Sequence, residues 1–199
     1  MKKKNNDITA LRRTQLTKAT YRVVSKKGYY NFTIRDIANE AGLSTGLVHY
    51  YFKDKDELLL TLLKEMNSNL RYFLTKELEH KDDPADKLLT FIDQAFSLVE
   101  REKDYFYVII DFWTQVNHNP RISRANARLY QSYREECAGV LTEGVEKGVF
   151  TDMDIHYTAT MIISIIQGLI IQFILDKEAF DYQAYTTKVK EQVLAMVKK

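Results

Sequence analysis

The chain has 199 residues, 45% of them apolar and 28% charged, with only 2 prolines and 7 glycines. That is the make-up of an ordinary soluble globular protein of one or two domains with a sizeable core. Cys137 is the only cysteine, which excludes an intrachain disulfide and suits a reducing cytoplasm. The net charge of +2 hides an asymmetry: residues 1–60 hold 12 Lys+Arg against 6 Asp+Glu, and residues 61–199 hold 17 against 21. A basic front and an acidic back fit a nucleic-acid module joined to one of different purpose.

The opening M-K-K-K-N-N-D lacks the apolar run of a signal peptide and is expected to form a flexible basic arm. Leu16, Ala19, Val23 and Val24 then mark an amphipathic helix ending at Lys26-Lys27-Gly28, with Tyr29 and Phe32 closing a small core. Next comes T-I-R-D-I-A-N-E-A-G-L-S-T-G-L-V-H-Y-Y-F-K-D-K, Thr33 to Lys55. Thr33 and Asp36 have capping-box spacing, and Ile34, Ile37, Ala38 and Ala41 give one narrow apolar face. Gly42 sits where a helix stops in the left-handed conformation, and Ser44 caps a second helix from Thr45 to about Tyr51. Helix, glycine turn, helix is a helix-turn-helix, spanning about residues 33–52.

Its second helix points only Val48 and Phe52 at a core. The remaining rim of Thr45, Gly46, Leu47, His49, Tyr50 and Tyr51, with Lys53 and Lys55 beyond, offers hydroxyls, an imidazole and ammonium groups suited to phosphates and base edges. Gly46 inside a helix costs roughly 1 kcal/mol against Ala, and close approach to a partner's backbone would compensate. Thr33 at a helix start is expected to meet a phosphate; Thr45, Gly46 and Leu47 reach base edges, with Ser44 at the cap; Tyr50, Tyr51 and Lys55 hold the backbone. No Arg or Asn on this helix supplies a bidentate base contact, so DNA shape is expected to contribute.

The run A-G-L-S-T-G-L-V-H-Y-Y-F-K-D-K-D-E-L-L, with Thr33 and Ile37-Ala38 before it, resembles the DNA-binding signature of the TetR family of bacterial transcriptional regulators over about residues 10–70. The S-T-G is similar to that of the betaine-regulator-like branch. His49 stands where many members have Tyr, which puts its own phosphate contact in question. The resemblance implies a homodimer on a pseudo-palindromic operator, a small effector bound in the C-terminal helices, and a four-helix interface made by the last two helices and their mates.

From Asp54 a long helix runs to about Glu79 without a linker, so the expected domains are 1–53 for DNA binding and 54–199 for effector binding and dimerisation. Further helices follow after Pro84, from Tyr105 to Val116, on to Lys147 closed by Gly148, over 153–176 and over 182–198. No alternating strand pattern appears. The fold class is therefore all-α: an N-terminal three-helix helix-turn-helix domain and a C-terminal helical domain, roughly nine helices in total.

Met161 to Leu175, extended back to Tyr157, has 19 residues without a charge, near the length that spans a bilayer. Its Thr, Ser and Gln residues and the lack of a second such segment favour a helix buried between two subunits over a membrane span. Ile163, Gln167, Gly168, Ile170, Ile171 and Ile174 are the candidate dimer interface. Aromatic residues crowd 85–175, and Phe91, Gln94, Tyr105, Ile109, Trp113, Tyr130, Tyr133 and Met161 are the candidate ligand pocket, although each is also an ordinary core residue. Asp111 could face a cationic ligand inside an aromatic cage or face solvent; a neutral or acyl amphiphile is an equal alternative.

No phosphate-cradling glycine loop, G-x-S-x-G or H-E-x-x-H occurs, and the four histidines are scattered. Neither catalysis, a metal nor a cofactor is expected. The expected function is a cytoplasmic repressor released from its operator by a small amphipathic effector. The alternatives are an effector-independent activator or architectural protein, and a helical lipid-binding protein or enzyme that retains the fold.

Overall fold

Helical periodicity carries through into the computed structural model, which describes residues 2–101 and 103–199, without the side chains of residues 2–6 and Lys103. Nine helices and no strand occur among the described residues: α1 (Lys2–Asn31), α2 (Ile34–Ala41), α3 (Thr45–Tyr51), α4 (Lys55–Glu79), α5 (Pro84–Arg101), α6 (Lys103–Trp113), α7 (Pro120–Glu146), α8 (Ile155–Leu175) and α9 (Tyr182–Val197). The expected basic arm continues α1 back to Lys2, and its lysine side chains lie outside the described residues.

The chain packs as two units. The first joins Met1–Asn69 to Asp104–Ala127, and the second joins Leu70–Lys103 to Arg128–Lys199. This grouping differs from a boundary after Lys53, because α4 up to Asn69 and all described side chains of α6 pack with the N-terminal helices. The core of the first unit includes Leu16, Ala19 and Val24 of α1, Ile37 and Ala38 of α2, Val48 of α3, Leu58, Leu59 and Leu62 of α4, and Val108, Ile109 and Phe112 of α6.

Local capping sets the helix ends here. Thr33 Oγ1 accepts the Asp36 N–H and Asp36 accepts the Thr33 N–H, a complete capping box. Gly42 ends α2 at φ 65, its N–H turned back to Ala38 and Asn39. Asp54 Oδ1 accepts the Glu57 N–H at 2.6 Å, and Glu57 accepts the Lys53 N–H at 2.8 Å. The α1 ribbon breaks at Gly28, where φ is 75 and ψ 166, so the regular helix stops where the sequence indicates and a bent segment runs on to Asn31.

That bent segment is held from two directions. Asp111 of α6 accepts the Tyr29 N–H at 2.8 Å, and its Oδ2 lies 3.4 Å from where a Cβ at Gly28 would stand. Lys55 of α4 donates to the Tyr29 and Phe32 carbonyls at 3.1 and 3.2 Å, with its ammonium 3.8 Å from the Phe32 ring centre. Burial lowers the Lys55 pKa, against the opposing pull of Asp56. Gln115 adds a hydrogen bond to the Tyr30 hydroxyl, and Tyr29 packs edge-on against Phe112 with ring centres 5.9 Å apart. Burial, with Asp56 and Tyr30 nearby, pushes the Tyr29 hydroxyl up to about 12. Asn119, just before α7, donates to Asp56 at 2.7 Å.

The second unit is built around Leu88, Phe91, Ile92 and Phe96 of α5, Cys137 and Leu141 of α7, Ile162 and Ile166 of α8, and Val193 of α9. Cys137 is fully buried and burial pushes its thiol up to about 12, which leaves it inert at neutral pH. Glu143 bridges Lys87 at 2.6 Å and Lys147 at 2.7 Å. Leu74 and Leu78 carry the buried side of the end of α4, whereas Phe73 is 57% exposed. After α7 the chain turns so tightly that Phe150 lies on Gly144, and the Thr151 N–H closes on the Val197 carbonyl at 2.9 Å.

Two substitutions test these restraints. Asp111→Ala leaves the Tyr29 N–H without its acceptor and is expected to destabilise by about 1–3 kcal/mol, a fall of several degrees in melting temperature, while Asp111→Asn, which keeps an acceptor oxygen, recovers most of it. An unchanged melting temperature in the alanine variant would refute the restraint. Gly144→Ala would set a Cβ 1.9 Å from a Phe150 ring carbon, so overpacking is expected to cost about 1–3 kcal/mol in a thermal or urea melt.

Candidate nucleic-acid interface

α3 is only seven residues long and is fixed by few side chains. Val48 is fully buried and Phe52, its C-cap, is 2% exposed. Arg13 of α1 donates to the Tyr51 carbonyl, stands 4.2 Å over the Phe52 ring and pairs with Glu57 at 3.2 Å. Gln15 of α1 donates to the Ala41 carbonyl at 2.8 Å, fixing the end of α2. Two α1 side chains thus hold the chain on either side of α3, Gln15 before it and Arg13 after it, and the opposite side of α3 stays open to solvent.

The open side carries most of the expected contacts. Ser44, Thr45, Gly46, His49 and Tyr50 are exposed, Tyr50 by 77%, and Leu47 and Tyr51 are half-buried. The Tyr50 and Tyr51 rings meet edge to face at 4.9 Å. Ser44 Oγ accepts the Leu47 N–H, so it caps α3 while its own proton points elsewhere. No atom lies near a Cβ built on Gly46 except Ser44 Oγ at 3.9 Å, so the subunit's own packing does not require glycine there.

Two expected contacts are placed differently. Thr33 is exposed, but its hydroxyl donates to Asp36 at 3.0 Å and accepts the Asp36 N–H, which commits it to the capping box rather than to a phosphate. Its partner Asp36 is held down to about 2 by hydrogen bonds from Lys27 and from the Thr33 backbone and hydroxyl. Lys55 turns inward to the Tyr29 and Phe32 carbonyls because the bent end of α1 presents both to the start of α4. Exposed cations do remain beside α3: Lys53, and Arg35 in the first turn of α2, which the sequence pattern did not single out. Only the α2 register could have found Arg35, since it precedes the capping aspartate on the side away from Ile34 and Ile37.

In the C-terminal helices the candidate residues separate. Tyr105 and Ile109 are buried and Trp113 half-buried in the first unit. In the second unit Phe91 is buried and Gln94, Tyr130 and Tyr133 are half-buried, with Gln167 donating to the Tyr130 hydroxyl at 3.0 Å. Met161, expected in a pocket, lies instead on the open side of α8 with Tyr157, Ile165 and Leu175, while Ile170, expected at an interface, is 3% exposed inside the subunit. A helix without a charge gives little internal sign of which side faces in, and its open stripe runs through 157, 161, 165, 172 and 175. Ile163, Gln167, Gly168, Ile171 and Ile174 are half-buried along its flanks. Asp111 meets the backbone of the first unit rather than an aromatic cage. Among the described residues no three His, Cys, Asp or Glu gather where they could hold a metal ion.

Residues 16–62 match the family model described as bacterial regulatory proteins, tetR family, and residues 84–198 match that of the BetI-type transcriptional repressor, C-terminal. The chain is 24% identical over 182 residues to the fatty acid metabolism regulator protein of Bacillus subtilis strain 168, covering 91% of this chain and 93% of that one. Among solved structures it is similar to a transcriptional regulator from Saccharomonospora viridis in complex with choline, at TM-score 0.87 and 24% identity, covering 96% of this chain and 99% of that one. It is also similar to the regulator FadR from Bacillus subtilis in complex with stearoyl-CoA, at TM-score 0.78 and 23% identity, covering 91% and 97%. With the helix-turn-helix model over its reading helix and the repressor model over more than half its length, the chain belongs to the TetR family and is a DNA-binding transcriptional regulator.

Proposed function

We propose that the protein is a cytoplasmic homodimeric repressor, released from a pseudo-palindromic operator by a small amphipathic effector. The observation that carries the reading is the two-sidedness of α3: Val48 and Phe52 are locked into the first unit, while Thr45, Gly46, His49 and Tyr50 face outward with nothing in the subunit to cover them. Thr45, Gly46 and Leu47 at its first turn read base edges; Tyr50, Tyr51, Arg35 and Lys53 hold phosphates. Ser44 presents its hydroxyl at the cap and His49 a ring nitrogen, while Thr33 contributes only its position and Lys55 only its hold on the bent segment.

The second copy is inferred from α8. This helix is long and apolar enough to cross a membrane by length and composition, yet the subunit leaves Tyr157, Met161, Ile165 and Leu175 uncovered. Thr160, Ser164 and Gln172 interrupt the same open side, which suits a paired helix better than lipid. Gly168 beside the stripe lets a partner helix come close. Two reading helices would then enter successive major-groove faces about one helical turn apart.

For the effector, the hydrogen bond from the Tyr29 N–H turns Asp111 toward the bent end of α1 rather than toward an aromatic cage. A neutral or acyl amphiphile is the better fit, and within the first unit Tyr105, Ile109 and Trp113 are the residues that would meet it. One relative that aligns over nine-tenths of the chain is named for fatty acid metabolism.

Thr45→Ala is expected to lower the ratio of operator to random-DNA affinity about tenfold, whereas Arg35→Ala and Lys53→Ala weaken both DNAs and each reduce the slope of log affinity against log salt by about 1. Equal losses on both DNAs for the Thr45 variant, in anisotropy titrations at fixed salt, would sink its role as a base reader. For the assembly, Ile165→Asp with Leu175→Asp should give a helical monomer in sedimentation with operator affinity down at least a hundredfold. Dimers of unchanged stability would place the interface elsewhere.

A further inference from the structure

Asn126 of α7 is 4% exposed, and it is half satisfied. Its Nδ2 donates to the Ile122 carbonyl one turn back at 3.1 Å, while Oδ1 is buried with no hydrogen-bond partner. The amide orientation follows from the chemistry. A carbonyl oxygen only accepts, so the NH2 group must face Ile122 and the amide oxygen must face the other way. Buried polar groups are ordinarily paired, and buried Thr20 and Ser132 show the usual solution, each hydroxyl turned back onto a helix carbonyl at 2.8 Å. A leucine has the same branching as asparagine and would leave no orphan. The residue therefore carries a polar atom that folding alone does not use.

We infer that Asn126 is a ligand-binding residue whose Oδ1 accepts a hydrogen bond from a hydroxyl or amide N–H of the effector. The inference rests on the reading of an effector-released regulator and narrows the chemistry of that effector. A carboxylate at this point would set lone pairs against lone pairs, and a fully alkylated ammonium centre carries no N–H, so the donor must be a hydroxyl or an amide. The ligand class is an apolar body with a neutral, donor-bearing head. Asn126 belongs to the same packed unit as α3, so the donor is recognised within the unit that reads DNA.

The test compares the full-length wild type with Asn126→Leu, using octanamide and 1-octanol as donor-bearing probes and methyl octanoate as the donor-free one. Without any probe, Asn126→Leu should melt about 2–4 °C higher, because the orphan acceptor is gone, and should hold operator DNA as tightly as wild type. Octanamide and 1-octanol should release operator from the variant only at about tenfold higher concentration, while methyl octanoate acts alike on both proteins. A lower melting temperature for the variant would overturn the inference, since it would mean that the oxygen holds a structural partner such as a buried water. Equal sensitivity of both proteins to octanamide would overturn it as well. Failure of the effector reading itself has a different signature: neither protein would respond to any probe or carry a co-purifying small molecule in native mass spectrometry. Asn126 would then have no occupant, and the assignment would fall with that reading.

Discussion

The hold on the bent end of α1 is the constraint on which the reading head depends. Gly28 leaves the helical region, so the backbone groups of Tyr29 to Phe32 lose their helical partners. Water would satisfy them at the surface, but here a carboxylate and an ammonium do so, Asp111 on the Tyr29 N–H and Lys55 on the Tyr29 and Phe32 carbonyls. Charge-assisted hydrogen bonds are stronger and more directional than neutral ones. Their effect is to fix where α2 starts. From Thr33 onward the capping box and the Gly42 turn are rigid local motifs, so fixing the start of α2 fixes the direction of α3.

A helix of seven residues has almost no stability of its own. α3 survives as an extension of its neighbours: Arg13 and Gln15 of α1 hold the chain on either side of it, and Val48 and Phe52 bury its inner face. Every one of these interactions lies inside. That leaves Thr45, Gly46, His49 and Tyr50 facing solvent rather than the subunit's core, which is the condition a recognition surface must meet if its residues are to be chosen for DNA.

How legible each feature was in the sequence follows from its range. Caps and turns are written in three or four consecutive residues, so Thr33-Asp36, Gly42, Ser44 and Asp54-Glu57 could be located without a structure, and with them all nine helices. Lys55 could not be resolved the same way. Its position at the start of α4 fits a phosphate contact as well as an inward cap, and only the path of the bent segment, 23 to 26 residues earlier, decides between them. Asp111 is the same case over 82 residues. On α8 the failure has another cause. Periodicity needs contrast between apolar and polar positions, and the few Thr, Ser and Gln residues of α8 supply little, so the sequence puts Met161 inside and Ile170 outside where the subunit has the reverse. The unpaired oxygen of Asn126 leaves no trace in the sequence, where an asparagine in an amphipathic helix is most simply a solvated one.

The size of these interactions also bears on regulation. A coupling of about 1–3 kcal/mol is enough to shift DNA affinity appreciably, and that is the worth of one or two hydrogen bonds of the kind that join α6 to the bent segment. Tyr105, Ile109 and Trp113 share α6 and its unit with Asp111, and Asn126 follows on α7 in that unit. A ligand that met Tyr105, Ile109 or Trp113 would act on the helix whose carboxylate holds the end of α1. Breaking the bond from Asp111 to the Tyr29 N–H would release the start of α2, and because the caps from Thr33 to Ser44 are stiff, a change of angle at α2 would carry over to α3.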